Sequence, residues 1–117
     1  MYGMRELLLR RKAGGDFTAL FAATDELAIG AIRALSDEGT RVPEDVSVVG
    51  FDDIDISNYI MPRLTTIRQP IKEIGEQTAL ALHRHITGNT SFNPSSGREQ
   101  ILPHRLIIRE STRALIR

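Results

Sequence analysis

Two short apolar runs, separated by a stretch with helical periodicity, constrain the fold of this chain more than any other feature. The runs are residues 18–23 and 46–50. Nearly continuous apolar runs of this length are typical of β-strands that are covered on both faces. Between them, apolar residues recur with helical spacing from Leu27 to Leu35, and Gly39 is placed to end the helix. Because such βαβ crossovers are almost always right-handed, the sequence predicts two parallel strands with the helix over one face.

The remaining elements follow from the same periodicities. They are a helix at residues 4–13, a third strand at 64–68, a helix at 71–87, and two short closing strands at 101–102 and 106–108. Gly14 and Gly88 are placed to end the two helices, and Pro70 stops the third strand. Residues 89–97 are rich in Ser, Asn and Gly and are predicted to form an exposed loop, while Pro103 interrupts the closing strands.

Composition limits the classes of function that the chain can have. Fifteen basic residues balance fifteen acidic ones, so no overall positive field attracts nucleic acid or an anionic membrane. The absence of cysteine excludes disulfides and thiolate chemistry and agrees with a cytoplasmic location. No apolar run approaches the roughly 18 residues of a membrane span. We therefore expect one compact cytoplasmic domain without a cofactor or a membrane partner.

Polar side chains follow each of the three predicted strands at the point where it ends. They are Thr24, Asp25 and Glu26 after the first strand, Phe51, Asp52 and Asp53 after the second, and Gln69 after the third. In open parallel sheets, ligands bind beyond the carboxyl ends of the strands, where the loops meet helix amino termini. Carboxylates, an amide and an aromatic surface suit a polyhydroxylated or amide-bearing small molecule. The sequence therefore predicts a small-molecule site at this edge.

Some of these side chains also have structural explanations. Thr24 or Asp25 can cap the following helix, and Asp53 and Asp55 can be ordinary loop carboxylates. Asp52 is the strongest candidate for ligand binding, because an acidic residue directly after a buried strand end has few structural reasons to be there.

Catalysis is a weaker hypothesis. Asp52 and Asp53 could hold Mg²⁺ or carry phosphate in a phosphatase or phosphoacceptor domain, but Glu26 is the only obvious additional carboxylate and no lysine lies nearby in the sequence. His83 and His85 are two positions apart on a predicted helix, so they point to different faces and cannot readily share one metal. The chain is predicted not to be an enzyme and to have neither catalytic nor metal-binding residues.

Three segments in the right order resemble the LacI/GalR family of transcription regulators. They read TALFAATDELAIGA at 18–31, VPEDVSVVGFDD at 42–53 and LTTIRQP at 64–70, and LIIREST at 106–112 is similar to the closing strand of the family. The resemblance implies an α/β fold, namely a parallel-sheet, three-layer, type I periplasmic-binding-protein-like subdomain that is incomplete in this chain. Residues 1–70 and 99–117 would belong to the C-terminal subdomain, and residues 71–98 would belong to the N-terminal one.

The resemblance also implies specific roles for residues. Thr24, Glu26 and Asp52 match effector-contacting positions, and Phe51 and Gln69 match positions in the cleft wall. The helix at 26–38 and the loop at 54–62 match the surface through which family members form homodimers. The dimer contacts would be Ile29, Arg33, Ile60 and Met61.

The DNA-binding part of the family has no counterpart in this sequence. Family members begin with a helix-turn-helix and a hinge that bind operator DNA, so we do not expect this chain alone to recognise an operator. A secreted sugar-binding protein of a transport system would have the same fold and stays an alternative. Such a protein should begin with a signal peptide, which residues 1–6 do not resemble, and typically lacks the match at 64–70.

Overall fold

The structure is a computed structural model that describes residues 2–88 and 101–115. The elements are α1 (Tyr2–Lys12), β1 (Ala19–Phe21), α2 (Asp25–Asp37), β2 (Ser47–Val49), a 3-10 helix (Asp55–Asn58), β3 (Thr66–Arg68), α3 (Ile71–Ile86) and β4 (Arg105–Ile107). The chain divides into two compact units, one formed by Met1–Arg68 with Arg105–Arg117 and the other by Gln69–His104. The loop predicted at 89–97 lies outside the described residues. The assignment of segments to family subdomains stays a prediction.

The sheet of the first unit is built around β2. β1 and β2 are parallel, with Leu20 opposite Val48, which confirms the predicted βαβ unit. Isolated parallel bridges join Val49 to Thr65 and Asp52 to Arg68, and thus place β3 beside β2. β4 returns antiparallel to β3. The carboxyl ends of β1, β2 and β3 therefore meet at one edge of the sheet.

A buried serine links β2 to the start of β3. Ser111, in the segment that follows β4, donates its hydroxyl to the Val48 carbonyl at 2.6 Å and accepts the Thr65 N–H at 2.8 Å. The Val48 N–H in turn donates to the Ser111 carbonyl at 2.8 Å. The chain after β4 thus bonds to both strands near their amino ends, while the strands bond to each other further along.

Helix α2 supplies the largest part of the core. Thr24 begins the helix in an extended conformation, and its hydroxyl accepts the Leu27 N–H at 3.2 Å. Gly39 follows the helix with a φ of +76°, a left-handed conformation that glycine adopts without steric cost. The buried apolar residues of this unit are Ala22, Ala28, Ala31, Ile32, Leu35, Val46, Val48 and Leu64. One face of α2 therefore packs on β2, and α1 packs against α2.

Two predictions about the strands are wrong. β1 is not covered on both faces, because Ala19 and Phe21 are exposed while Leu20 between them is partly buried. No described element of this unit covers the side chain of Phe21. Residues 101–102 form no strand, and the last strand begins only after Pro103, which has no N–H to donate to a ladder.

The second unit consists of α3 and the described residues that precede β4. The predicted helix at 71–87 is confirmed as α3, but it has no buried residue, and Ile71 and Ile86 at its two ends are exposed. Among the described residues, no helix combines the length and the apolar character that a membrane crossing requires.

The Asp25 carboxyl group joins three parts of the first unit. Its Oδ2 accepts the Ile54 N–H at 2.9 Å and the Ser57 hydroxyl at 2.6 Å, and its Oδ1 accepts the Thr66 hydroxyl at 2.5 Å. Asp25 is completely buried. The start of α2 is thereby bonded to the 3-10 helix and to β3. Asp25 is thus neither the helix cap, which is Thr24, nor a solvent-facing carboxylate at the edge of the sheet.

We predict that Gly50→Ala destabilises the fold, because Gly50 lies directly against this carboxyl group. A Cβ atom at this position would collide with Asp25 Oδ1 and lie 2.9 Å from Leu64 Cδ2. The free energy of unfolding in urea should fall by about 2 kcal/mol, as is common for overpacking in a core. Gly3→Ala in α1 is the control, since nothing lies within 4 Å of a Cβ there, and it should be neutral or slightly stabilising. Equal unfolding midpoints for Gly50→Ala and the parent would contradict the crowding at this site.

Candidate effector-binding edge

The residues that follow β1 and β2 lie side by side. The Asp25 N–H donates to the Phe51 carbonyl at 3.0 Å, and the Asp52 N–H donates to the Ile67 carbonyl at 2.9 Å. These bonds place the start of α2 beside the end of β2, and Asp52 beside the end of β3. We call Thr24, Glu26, Phe51 and Asp52 the carboxyl edge.

The predicted effector residues differ in exposure and in the unit to which they belong. Thr24, Phe51 and Asp52 are partly buried, and Glu26 is exposed. Gln69 follows β3 directly and is the first residue of the second unit. The geometry therefore brings four of the five predicted residues to one edge of the first unit. Their role in binding stays a prediction.

The loop after β2 has an unusual backbone conformation. Asp52 has a φ of +122° and Asp53 a φ of +57°, in a region that residues with a Cβ atom rarely adopt. A residue in the left-handed region carries a steric cost of about 1 kcal/mol or more. The surrounding structure must therefore hold both residues in place.

Two arginines hold Asp53. Arg68 Nε lies 2.6 Å from Asp53 Oδ2, and Arg109 Nη2 lies 2.6 Å from Asp53 Oδ1. Arg109 is fixed in turn, because its Nη1 donates to the Leu64 carbonyl at 2.9 Å. We call Asp53, Arg68 and Arg109 the Asp53 clamp. Asp53 is therefore a nearly buried ion-pair partner and not an ordinary loop carboxylate.

The electrostatics of the clamp favour the ionised carboxylate. Burial acts to raise the pKa of Asp53, but the hydrogen bonds and charges of Arg109 and Arg68 outweigh it, so the pKa lies below its usual value. Sequence reasoning missed Arg109 altogether. Only the pairing of β3 with β4 brings Arg109 close to a loop more than fifty positions earlier in the chain.

The metal and phosphate hypothesis finds little support in this geometry. Among residues 2–88 and 101–115, no three His, Cys, Asp or Glu side chains are grouped so that they could hold a metal ion. Both oxygens of Asp53 already bind guanidinium groups. Asp52 and Asp53 therefore do not form a pair of available carboxylates.

The predicted dimer contacts lie on α2 and on the loop after the 3-10 helix. Ile29 is partly buried, and Arg33, one helical turn later, is exposed and pairs with Asp37 at 3.0 Å. Ile60 packs against the core, whereas Met61 is 94% exposed. Ile56 in the 3-10 helix and Tyr59 directly after it are exposed too. The role of these residues in a dimer contact stays a prediction.

The chain matches known proteins over nearly its whole length. Residues 3–112 match the family described as "Periplasmic binding protein-like domain". The chain is 43% identical over 98 residues to the transcriptional repressor CytR of Escherichia coli K12, covering 84% of this chain and 28% of the repressor. It is 41% identical over 113 residues to the repressor PurR of Haemophilus influenzae Rd, covering 97% of this chain and 32% of that protein.

Solved structures of transcriptional regulators also match the chain over most of its length. A LacI family regulator from Enterococcus faecium with bound ribose matches with a TM-score of 0.79 and 39% identity, over 97% of this chain and 39% of that one. The complex of the regulator CelR with cellobiose matches with a TM-score of 0.82 and 40% identity, over 92% and 31% of the two chains.

These matches define the class as an α/β domain of the periplasmic-binding-protein-like type. Within that class, the chain belongs to the LacI/GalR family of transcription regulators. The relatives are repressors and regulators, which favours this interpretation over a secreted transport protein. The chain spans about a third of the length of the curated relatives, at 28% for CytR and 32% for PurR.

We predict that the Asp53 clamp makes stability depend on pH in the acid range. The pKa of Asp53 is lower in the folded chain than its ordinary value of 3.8, so the stabilisation is fully present above pH 3.8 and is lost as the pH falls through the folded pKa. Asp53→Asn should lower the free energy of unfolding at pH 7 by about 2 kcal/mol, the worth of a hydrogen bond to a charged group. The difference in the free energy of unfolding between Asp53→Asn and the parent should shrink as the pH falls below 3.8.

Chemical denaturation between pH 7 and pH 2.5 measures this difference. Asp55→Asn is the matched control, because Asp55 is an exposed carboxylate at the start of the 3-10 helix two positions later, and it should change stability little at any pH. A constant difference between Asp53→Asn and the parent across the whole range would contradict the ionic origin of the stabilisation.

Proposed function

We propose that this chain is the ligand-sensing and dimerisation part of a bacterial transcriptional regulator, a repressor whose DNA binding is controlled by a small effector. The observation that carries the proposal is the carboxyl edge, where Thr24, Phe51 and Asp52 from two adjacent strand ends lie together. Because the chain has no net positive charge, operator binding is assigned to a separate domain of the intact regulator. A regulator of this kind acts in the cytoplasm.

The effector is a sugar or a related metabolite such as a nucleoside. Asp52 and Glu26 can accept hydrogen bonds from hydroxyl groups, Gln69 can both donate and accept, and Phe51 can cover the apolar face of a sugar ring. Related regulators have been solved with ribose and with cellobiose, which supports this class of ligand. The effector would act by shifting the population between two arrangements of the subdomains, and that shift would change the affinity for operator DNA.

We predict that Asp52→Asn weakens effector binding in the intact regulator. The loss should be about 1.5 kcal/mol or more, because one hydrogen bond to a charged group is removed. Titration calorimetry with ribose and cellobiose measures this loss of affinity, on the sugar that the parent binds more tightly. Asp55→Asn removes an exposed carboxylate nearby and should leave the affinity unchanged. An Asp52→Asn variant with the affinity of the parent would remove Asp52 from the site.

The dimer would form through α2 and the apolar loop after the 3-10 helix. Ile29 and Arg33 lie one turn apart on a stripe beside the buried face of α2. Met61 is almost fully exposed, and Tyr59 near it is 77% exposed. Ile60 is a predicted contact as well, but it also packs against the core, so a charged substitution there would disturb the fold.

We predict that Ile29→Arg and Met61→Arg each convert dimers into monomers. A charge at the centre of an apolar interface is buried without a partner, which weakens association. Sedimentation velocity at micromolar concentration measures the shift. Leu27→Arg is the control, because Leu27 is 56% exposed on another side of the same helix. Dimers that persist in both variants would exclude this surface as the interface.

A further inference from the structure

The backbone at Asp52 is held by interactions on both sides of the residue. Its own N–H donates to the Ile67 carbonyl at 2.9 Å, and the N–H of Ile54, two positions later, donates to Asp25 at 2.9 Å. Asp53 lies between these two bonds, and the two arginines described above bind its side chain. The left-handed conformations of Asp52 and Asp53 are therefore held by the backbone bonds of Asp52 to β3 and by the Asp53 clamp together.

We infer that Asp53 is a positioning residue for effector binding: Arg68 and Arg109 hold its carboxylate, and the fixed loop in turn places the carboxylate of Asp52 at the carboxyl edge. The inference rests on the proposed function, in which Asp52 contacts the effector. Asp53 does not bind the effector itself, because its side chain is only 7% exposed and both of its oxygens bind arginines at 2.6 Å.

Arg109 in the clamp is held by further hydrogen bonds, which suits it to this role. The Arg109 side chain is 12% exposed and its guanidinium also donates to the Leu64 carbonyl at 2.9 Å. The Arg109 backbone N–H donates to the Thr65 hydroxyl at 2.9 Å. Arg68 adds a second anchor from the end of β3, where its backbone is bridged to Asp52 itself. The position of Asp52 is therefore tied to β3 by both backbone and side-chain bonds.

The direct test is the conformation of Asp52 when the clamp is broken. Crystal structures of the intact regulator carrying Asp53→Asn or Arg68→Gln should show Asp52 moved from a φ near +122° toward negative values. Arg68→Gln is the milder variant, because the Arg68 side chain is 50% exposed, and it keeps the test available if Asp53→Asn does not fold. An unchanged φ at Asp52 in the folded variants would overturn the inference, whether or not a sugar binds.

The second test is a double-mutant cycle on effector affinity, using whichever of ribose and cellobiose the parent binds more tightly. Asp53→Asn should weaken binding about tenfold, comparable with the loss of one charged hydrogen bond. If Asp53 acts through Asp52, the variant with both substitutions should bind no more weakly than Asp52→Asn alone. Full additivity of the two losses would overturn the inference.

A control separates positioning from general destabilisation. Asp45→Asn breaks the paired contacts between Asp45 and Arg41, at 2.9 and 3.0 Å, in the loop before β2 at the other end of the strand. It should leave both the sugar affinity and the φ of Asp52 unchanged. If Asp52→Asn leaves the affinity intact, the proposed effector site is wrong. If Asp52→Asn weakens binding but Asp53→Asn does not, only the positioning role is wrong.

Discussion

The buried carboxyl group of Asp25 is the constraint on which the rest of the first unit depends. A carboxyl group removed from water is costly unless its oxygens find donors, and here the donors come from Ile54, Ser57 and Thr66. The first residue of α2 is therefore bonded to the loop after β2 and to β3 at once. Gly50 has room only for a hydrogen beside this carboxyl group, so the end of β2 can approach the helix closely.

This arrangement connects the two surfaces that matter for a regulator. Thr24 and Glu26, on either side of Asp25, belong to the carboxyl edge, while Ile54 and Ser57 precede the exposed loop of the predicted dimer surface. The hydrogen bonds of Asp25 thus connect the proposed effector edge to the segment that leads into the proposed dimer loop. The Asp53 clamp lies just before the 3-10 helix and holds the end of the loop after β2 through Arg68 and Arg109. Both surfaces depend on buried or partly buried polar contacts rather than on the apolar core alone.

Much of the fold could be predicted from periodicity. The parallel pairing of β1 with β2 and the extents of α2 and α3 follow from apolar spacing, which local sequence carries directly. The exposure of one face of β1 could not be predicted. An apolar run indicates that both faces of a strand can be buried, but it does not show whether another element packs on each face. The short strand expected at 101–102 was wrong for a related reason, since a strand needs a partner as well as a suitable composition.

The sequence by itself determined the family, the βαβ unit and the residues that reach the carboxyl edge, because motif order and strand ends are encoded locally. Only the tertiary structure decided what the individual carboxylates do. Asp25, Asp52 and Asp53 follow strand ends in the same way, yet one is a buried hydrogen-bond centre, one lies at the edge and one is held by two arginines. Their partners are 15 to 56 positions away, as in the bonds from Arg68 and Arg109 to Asp53. Contacts over such distances depend on how the strands pair, and no local pattern of residues specifies them.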